Sequence, residues 1–441
     1  MTWRDTHATT SPDAQDLTSA DGAHAVIALL PFGDVFDDFL DSIGVSLEAF
    51  CTEMTGGWLF GYVEALQWAG VRTVIVIVSP QVTTPTRVRH RPSGATICIL
   101  PPLRLYRVLR GAHRLPPPLV AALREILPYL ATPPWMLAHT LRREGCAAIL
   151  CQEYEYPRFD ICVLLGWLLR LPVVATFQGG DCQRGRLERF LRPLTVRSAR
   201  KLVVAAGSEA RRVRDRYHLP PGKLAKIFNP LDPRFYADAD HHEARLSLGI
   251  PSGAQVAVWH GRIAIHAKGL DILLDAWARV CRTRPERDLR LLLIGTGEDA
   301  EAFRQHLVTG PPNIYWVDQY IHDRVAIRRY LTAADVYTFA SRHEGFPVAP
   351  IEAMACSLPI VATTAPGILD ILAGGEAAGG LLVPREDAAA FALALGRVLD
   401  DQVWGRELGR RARARVVEAF SFEVVGAQLR ALFETSPIMK R

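Results

Sequence analysis

No stretch of this chain holds the run of about 18 apolar residues that a spanning helix needs, so nothing in it reads as a transmembrane segment. The opening residues, MTWRDTHATTSPDAQDLTSADG, lack a basic start followed by an apolar core. They therefore do not read as a secretory signal, and residues 1–23 are expected to be a disordered polar tail. The eight cysteines, Cys51, Cys98, Cys146, Cys151, Cys162, Cys182, Cys281 and Cys356, never form a C-x-x-C pair. That removes zinc and dithiol motifs, and several of the thiols sit inside apolar runs, as buried cysteines do in a reducing compartment. A cytoplasmic location is the expectation. Lysine is scarce, with only Lys201, Lys223, Lys226, Lys268 and Lys440 in a background dominated by arginine. Acidic residues are missing altogether from 65–124, where Arg72, Arg87, Arg89, Arg91, Arg104, Arg107, Arg110, Arg114 and Arg124 fall. A second basic cluster holds Arg184, Arg186, Arg189, Arg192, Arg197, Arg200 and Lys201. Such clusters suit phosphate-rich partners, either anionic lipid surfaces or phosphorylated acceptors, or are simply solvated basic faces.

What is present is a two-domain α/β chain. Its 441 residues exceed what one core usually supports. Short β-branched runs alternate with helical stretches, the pattern of parallel sheets covered by helices. Strands are expected at 24–33, 71–78, 95–100, 147–151, 172–177, 201–206 and 226–229, then at 255–261, 289–295, 314–318, 336–340 and 359–363. Helices are expected at 58–70, at 270–281, and as an amphipathic pair over 410–434 broken near Phe420-Ser421. The Pro-, Asp- and Gly-rich stretch 229–253 reads as a hinge between two doubly wound domains. The expected division is 24–235, 236–415 and a closing helix over 416–441 that returns to the first domain. Segment 83–143, with its proline clusters, arginines and large apolar residues, is open to three readings: ordinary helices, a cap over the acceptor side, or an interfacial membrane contact.

Two stretches carry chemistry. In HEGFPVAPIEAMACSLPIVATTAPG (343–367), Glu344 and Glu352 flank a Gly-Pro loop that opens a helix between two strands. A helix N-terminus offers unpaired N–H groups to hydroxyls or phosphate, and carboxylates beside it accept hydrogen bonds from vicinal diols. In HGRIAIHAKGLDILLDAW (260–277), Arg262 ends a strand and Lys268 precedes a helix, a cationic pair fit for a pyrophosphate. Glu153 and Glu155 follow a strand, facing an acceptor or serving as plain loop carboxylates; Gly295-x-Gly297 reads as backbone geometry.

GR-x5-KG (261–269), LLLIGTGED (291–299), the ADVYTFAS-to-EGF run (334–346) and EAMACSLPIVAT (352–363) resemble glycosyltransferase family 4, and FSFEVVGAQLRALF (420–433) resembles that family's closing helix. The resemblance implies a GT-B fold, two Rossmann-like doubly wound domains facing a cleft. It implies that Arg262 and Lys268 grip the donor diphosphate, that Glu344 binds the transferred sugar, and that Glu352 binds the ribose diol. Gly345, Phe346 and Val348 would line the sugar and phosphate, and Ile321 would meet the base. Gly56 and Gly57, opening the first N-domain helix, would approach from across the cleft. Gln178 stands where the family commonly has histidine, keeping a hydrogen bond but losing any cationic role. Pro347 and Pro350 remove two backbone donors from the donor loop. The implied reaction is transfer with retention, from a nucleotide-diphosphate sugar (UDP-sugar favoured) to a hydroxyl-bearing acceptor, either an envelope or lipid-linked glycan or a small secondary metabolite. No cofactor and no metal are expected, since no D-x-D falls among the donor loops. Peripheral contact with an anionic membrane is expected, and no nucleic acid. Two alternatives stand beside the transferase: a nucleotide-sugar epimerase of the same fold, and a catalytically silent nucleotide-sugar binder.

Overall fold

The computed structural model describes residues 4–5, 25–55, 57–110, 117–177, 185–237 and 239–434. Fifteen strands are present among them: β1 (Arg4–Asp5), β2 (Val26–Leu30), β3 (Arg72–Val78), β4 (Thr86–Arg89), β5 (Thr96–Leu100), β6 (Ala148–Gln152), β7 (Val173–Thr176), β8 (Lys201–Val204), β9 (Leu224–Lys226), β10 (Gln255–His260), β11 (Leu289–Ile294), β12 (Ile314–Val317), β13 (Val336–Phe339), β14 (Ile360–Thr363) and β15 (Gly380–Val383). They form a nine-stranded sheet, β1-β4-β5-β3-β2-β6-β7-β8-β9, and a six-stranded sheet, β12-β11-β10-β13-β14-β15. Every described pairing is parallel except β4 with β5. Central strands such as VIALL and QVAVWH are buried along their whole length because helices cover both faces. Each sheet accordingly has two apolar cores. In the second, Val256 and Val258 face one side while Ala257 and Trp259 face the other.

The sheets face each other across their carboxyl edges. Gly207 starts the helix after β8, and its N–H donates to Asp370 Oδ2 at 2.9 Å, in the short helix Ile368–Ile371 after β14. Lys226 Nζ reaches Asp370 Oδ1 at 2.6 Å. The closing helices are Gln402–Ala419, packed on the second domain, and Phe422–Glu434, packed on the helix Gly57–Trp68 of the first. A Cβ at Gly426 would lie 2.2 Å from the Ala65 carbonyl oxygen, so this close helix crossing requires glycine. Ser421 Oγ accepts from Val424 N at 3.4 Å and caps the second of the two helices.

The structure departs from the sequence reading at the sheet edges. β4 lies in segment 83–143, for which helices, a cap or a membrane contact are the expected readings; β15 is not among the expected strands; and β9 ends at Lys226, whereas the expected strand runs over 226–229. TRVR alternates arginine with other residues next to the two-residue edge strand β1 and lacks an apolar run, whereas GLLV is apolar but short and follows a glycine-rich turn. Two short helices, Asp37–Ile43 and Leu47–Thr52, precede Gly57, so it opens the third helix of the domain and not the first. Within the stretch expected to be a tail, Arg4 and Asp5 pair in parallel with Thr86 and Arg87. Segment 83–143 holds β4, β5 and the helices Arg104–Arg110, Pro117–Ala131 and Pro134–Arg143.

Candidate active site

The loop after β10 is shaped by its glycines. Gly269 stands at φ 60° between the short helix Ile265–Lys268 and the long helix Leu270–Thr283, and a Cβ there would come within 2.0 Å of the Ala340 carbonyl oxygen. That contact pins the Lys268 loop against the end of β13, from which the Glu344 loop departs. Arg342 ties the two loops together. Its backbone N–H donates to Ala267 O at 2.9 Å, and its Nη1 donates to His266 O at 2.8 Å. The same buried guanidinium pairs with Asp271 at 2.7 and 2.8 Å and with Glu386 at 2.8 Å. Burial pushes the Asp271 carboxyl up, but the bonds and charge of Arg342 outweigh it and hold the group below the usual aspartate range.

Held this way, Lys268 Nζ lies 2.8 Å from Glu344 Oε1, part-buried at the carboxyl edge of the sheet. Glu352, one turn into the helix Ala349–Ala355, turns back toward β10. His260 Nε2 stands 3.0 Å from its Oε2, and the Tyr236 hydroxyl donates to its Oε1 at 3.0 Å. Burial raises the Glu352 carboxyl, yet His260, the Tyr236 hydroxyl and Arg324 together bring it below the ordinary glutamate value. Burial, then the nearby Glu352 charge, pushes the neighbouring Tyr320 phenol up to about 12. Arg262 forms no bond with the Lys268–Glu344 pair; its Nη1 faces Glu298 Oε1 at 3.4 Å, both side chains half-exposed. Among the described residues, no three His, Cys, Asp or Glu side chains gather as a metal site.

The backbone of the loop that follows Glu344 is equally constrained. A Cβ on Gly367 would press to 2.7 Å on Gly345 O. Phe346 is buried and stacks on Phe228 at 5.3 Å, and its carbonyl accepts from Asn229 Nδ2 at 3.3 Å. The Val348 carbonyl accepts from the N–H groups of Ile351 and Glu352 at 2.9 and 3.1 Å, starting the helix. Ile321 packs on the second domain's core between β12 and the helix Arg324–Thr332.

Residues 254–401 match the family model described as Glycosyl transferases group 1. The match falls within the second domain. A D-inositol 3-phosphate glycosyltransferase of Kineococcus radiotolerans is 31% identical over 255 residues, 54% of this chain and 57% of that protein, so the alignment spans little more than half the relative's length. The sucrose-phosphate synthase of Thermosynechococcus elongatus superposes with a TM-score of 0.67 at 22% identity, covering 94% of this chain and 100% of the other. The Anabaena protein HepE, solved in complex with UDP, gives 0.67 at 15% identity, covering 93% and 100%. These likenesses support the resemblance to glycosyltransferase family 4, and the two facing sheets are the GT-B fold.

Around the Lys268–Glu344 pair, the structure brings in residues that sequence reasoning passed over. Arg324 Nη1 lies 3.1 Å from both carboxylate oxygens of Glu64, bridging the two domains beside Glu352. Burial raises the Glu64 carboxyl and Arg324 lowers it, leaving it above the ordinary value. His260 had a readable signal, its place at the end of the strand that leads into Gly261-Arg262. Tyr236, Arg324 and Glu64 had none, because only folding brings them together. Across the cleft, Glu153 and Glu155 are buried. Glu153 stands at φ 92°, its Oε1 accepts from Glu155 N at 3.1 Å, and Arg212 Nη2 donates to Glu155 Oε1 at 2.6 Å. They belong to a packed network with Tyr154, Glu209 and Arg212. Gly57 opens the helix Gly57–Trp68, whereas Gly56 and Gln178 lie outside the described residues. Gly295 and Gly297 are required by packing, since a Cβ would fall 1.9 Å from Gly261 O and 2.4 Å from Ile263 O.

Proposed function

We propose that the chain is a retaining glycosyltransferase that moves a sugar from a nucleotide-diphosphate donor, a UDP-sugar before others, to an acceptor hydroxyl without a metal ion. The observation that carries this reading is the Lys268–Glu344 pair at 2.8 Å, held at the carboxyl edge of the second sheet by Arg342 and Gly269. An ammonium has three donors, so Lys268 holds Glu344 with one and keeps two for a diphosphate oxygen. Arg262 is released from Glu298 at little cost, because an exposed pair contributes about 0–1 kcal/mol. Each Glu352 oxygen accepts one internal bond and keeps a lone pair for a ribose hydroxyl.

In this reading the anomeric C–O bond to the diphosphate breaks and its electron pair passes to the leaving oxygen. Lys268 and Arg262 stabilise the charge as it develops. The acceptor oxygen attacks the same face, and its proton goes to the departing phosphate. Glu344 orients the sugar through its hydroxyls. UDP in the HepE complex and the inositol phosphate named for the Kineococcus relative support a uridine donor and a phosphate-bearing acceptor. The acceptor class is a lipid-linked or envelope glycan or a small metabolite, and the cytoplasm is the compartment this reading assigns.

A thermal-shift panel of nucleotide-sugars, followed by donor turnover with and without acceptor, tests it. A matching donor at 100 times its Kd adds about 2.7 kcal/mol of apparent stability. Lys268→Ala is expected to abolish transfer and donor hydrolysis in a folded protein. If no nucleotide-sugar raises the melting temperature and Lys268→Ala changes nothing, the reading fails. An isomerised sugar from donor alone selects the epimerase.

A further inference from the structure

Two neighbouring helices of the first domain leave large apolar side chains in water. On the helix Pro157–Leu169 these are Leu164, Trp167 and Leu168, at the i, i+3, i+4 spacing that puts them on one face. On the helix Arg186–Ser198 they are Phe190 and Leu194, again four apart. Trp167 is 78% exposed and Phe190 71%. Between the helices runs a groove of about 460 Å³, walled by Tyr129, Ile161, Leu164, Trp167, Leu191 and Leu194. A single exposed leucine means nothing, but a contiguous apolar face of this kind marks an interaction surface.

The surrounding charge selects the occupant. Arg186, Arg189 and Arg197 share the exposed side of the second helix with Phe190 and Leu194, and Arg170 stands exposed at the end of the first. Arg170, Arg186 and Arg197 have no carboxylate partner among the described residues. Asp160, on the groove's wall, is already neutralised by Arg192 at 3.1 Å. Aromatic and aliphatic side chains standing among exposed arginines match the boundary between acyl chains and anionic headgroups. The helices' direction agrees with this. Both helices follow parallel strands and run back from their carboxyl edge, so the groove extends from the cleft side at Asp160 and Tyr129 to the far end at Trp167 and Ser198.

We propose that the helices Pro157–Leu169 and Arg186–Ser198 dock the chain on an anionic phospholipid bilayer, so that the acceptor hydroxyl enters the cleft from the membrane. Docking stands on this face alone; only the acceptor's origin rests on the transferase reading. It also moves the membrane contact from segment 83–143 to the two helices that follow β6 and β7.

The full-length chain is sedimented with phosphatidylcholine vesicles and with phosphatidylcholine–phosphatidylglycerol vesicles, at low and high salt. Binding is expected only to the anionic vesicles, weakening as salt screens the arginines. The Arg186→Glu/Arg197→Glu and Trp167→Glu/Phe190→Glu chains are each expected to lose about tenfold or more in apparent affinity. Unchanged melting temperature and unchanged donor-induced stabilisation show that these variants are folded. Absence of binding at low salt, or binding that both variants retain, overturns the proposal. So does a dimer in light scattering that Trp167→Glu dissociates, which assigns the face to a second copy of the chain. Donor stabilisation without vesicle binding refutes the docking and leaves the transferase reading standing; vesicle binding without a donor response does the reverse.

Discussion

Replacing Gly269 with alanine tests the idea that one backbone contact sets the candidate site. Gly269 holds φ 60° and ψ 33°, and the added Cβ would meet Ala340 O at 2.0 Å. An L-residue in the left-handed region costs roughly 1–2 kcal/mol. The clash is with backbone, so no rotamer relieves it; the two segments must part by about 1.4 Å to regain van der Waals contact. Overpacking of this kind costs roughly 1–3 kcal/mol. Together these predict a loss of about 2–5 kcal/mol, and with about 2–4 °C per kcal/mol a melting temperature lower by about 5–15 °C. The functional effect is expected to be larger. Lys268 precedes this glycine and Glu344 follows the strand end it presses on, so their 2.8 Å pair opens with the gap. Displacements near 1 Å at a reacting centre cost about a hundredfold. Differential scanning fluorimetry and donor turnover are compared with Gly253→Ala, whose Cβ meets nothing within 4 Å. If Gly269→Ala melts with that control and turns over the donor at the parental rate, the reasoning is refuted.

The Glu352 carboxyl is held below its unfolded value of about 4.3, so its contribution to stability is present above that pH and is lost as pH falls through the lower folded value. His260→Ala removes the strongest lowering partner and leaves burial dominant. The folded carboxyl then rises, and acidification from neutral pH toward about 4 is expected to stabilise the variant relative to the parent; parallel melting curves against pH would show the assignment of His260 to be wrong. Glu64→Gln breaks the part-buried bridge to Arg324 and is expected to speed amide exchange in the helices Gly57–Trp68 and Arg324–Thr332. Unaltered exchange in both helices would mean that the bridge does not hold the domains together.

Sequence alone determined the architecture and the two loops that carry Lys268 and Glu344. Buried parallel strands such as VIVIV and QVAVW announce themselves because helices on both faces demand continuous apolar runs, and Gly-Arg and Lys-Gly bracket a turn whose chemistry is local. The break at Phe420-Ser421 was readable for the same reason, as apolar periodicity stops there and a capping hydroxyl follows. Only tertiary structure decided the edges and the cross-connections. β4, with its two arginines, takes its strand state from the ladders of β1 and β5 on either side. That Glu153 and Glu155 are buried in a network with Arg212, and that Glu352 turns to His260 and Tyr236, depends on residues far apart in the chain. The same holds for Arg324 and Glu64, separated by 260 positions. Side chains at such separations meet only when the two sheets face each other, and no local propensity or spacing encodes that encounter.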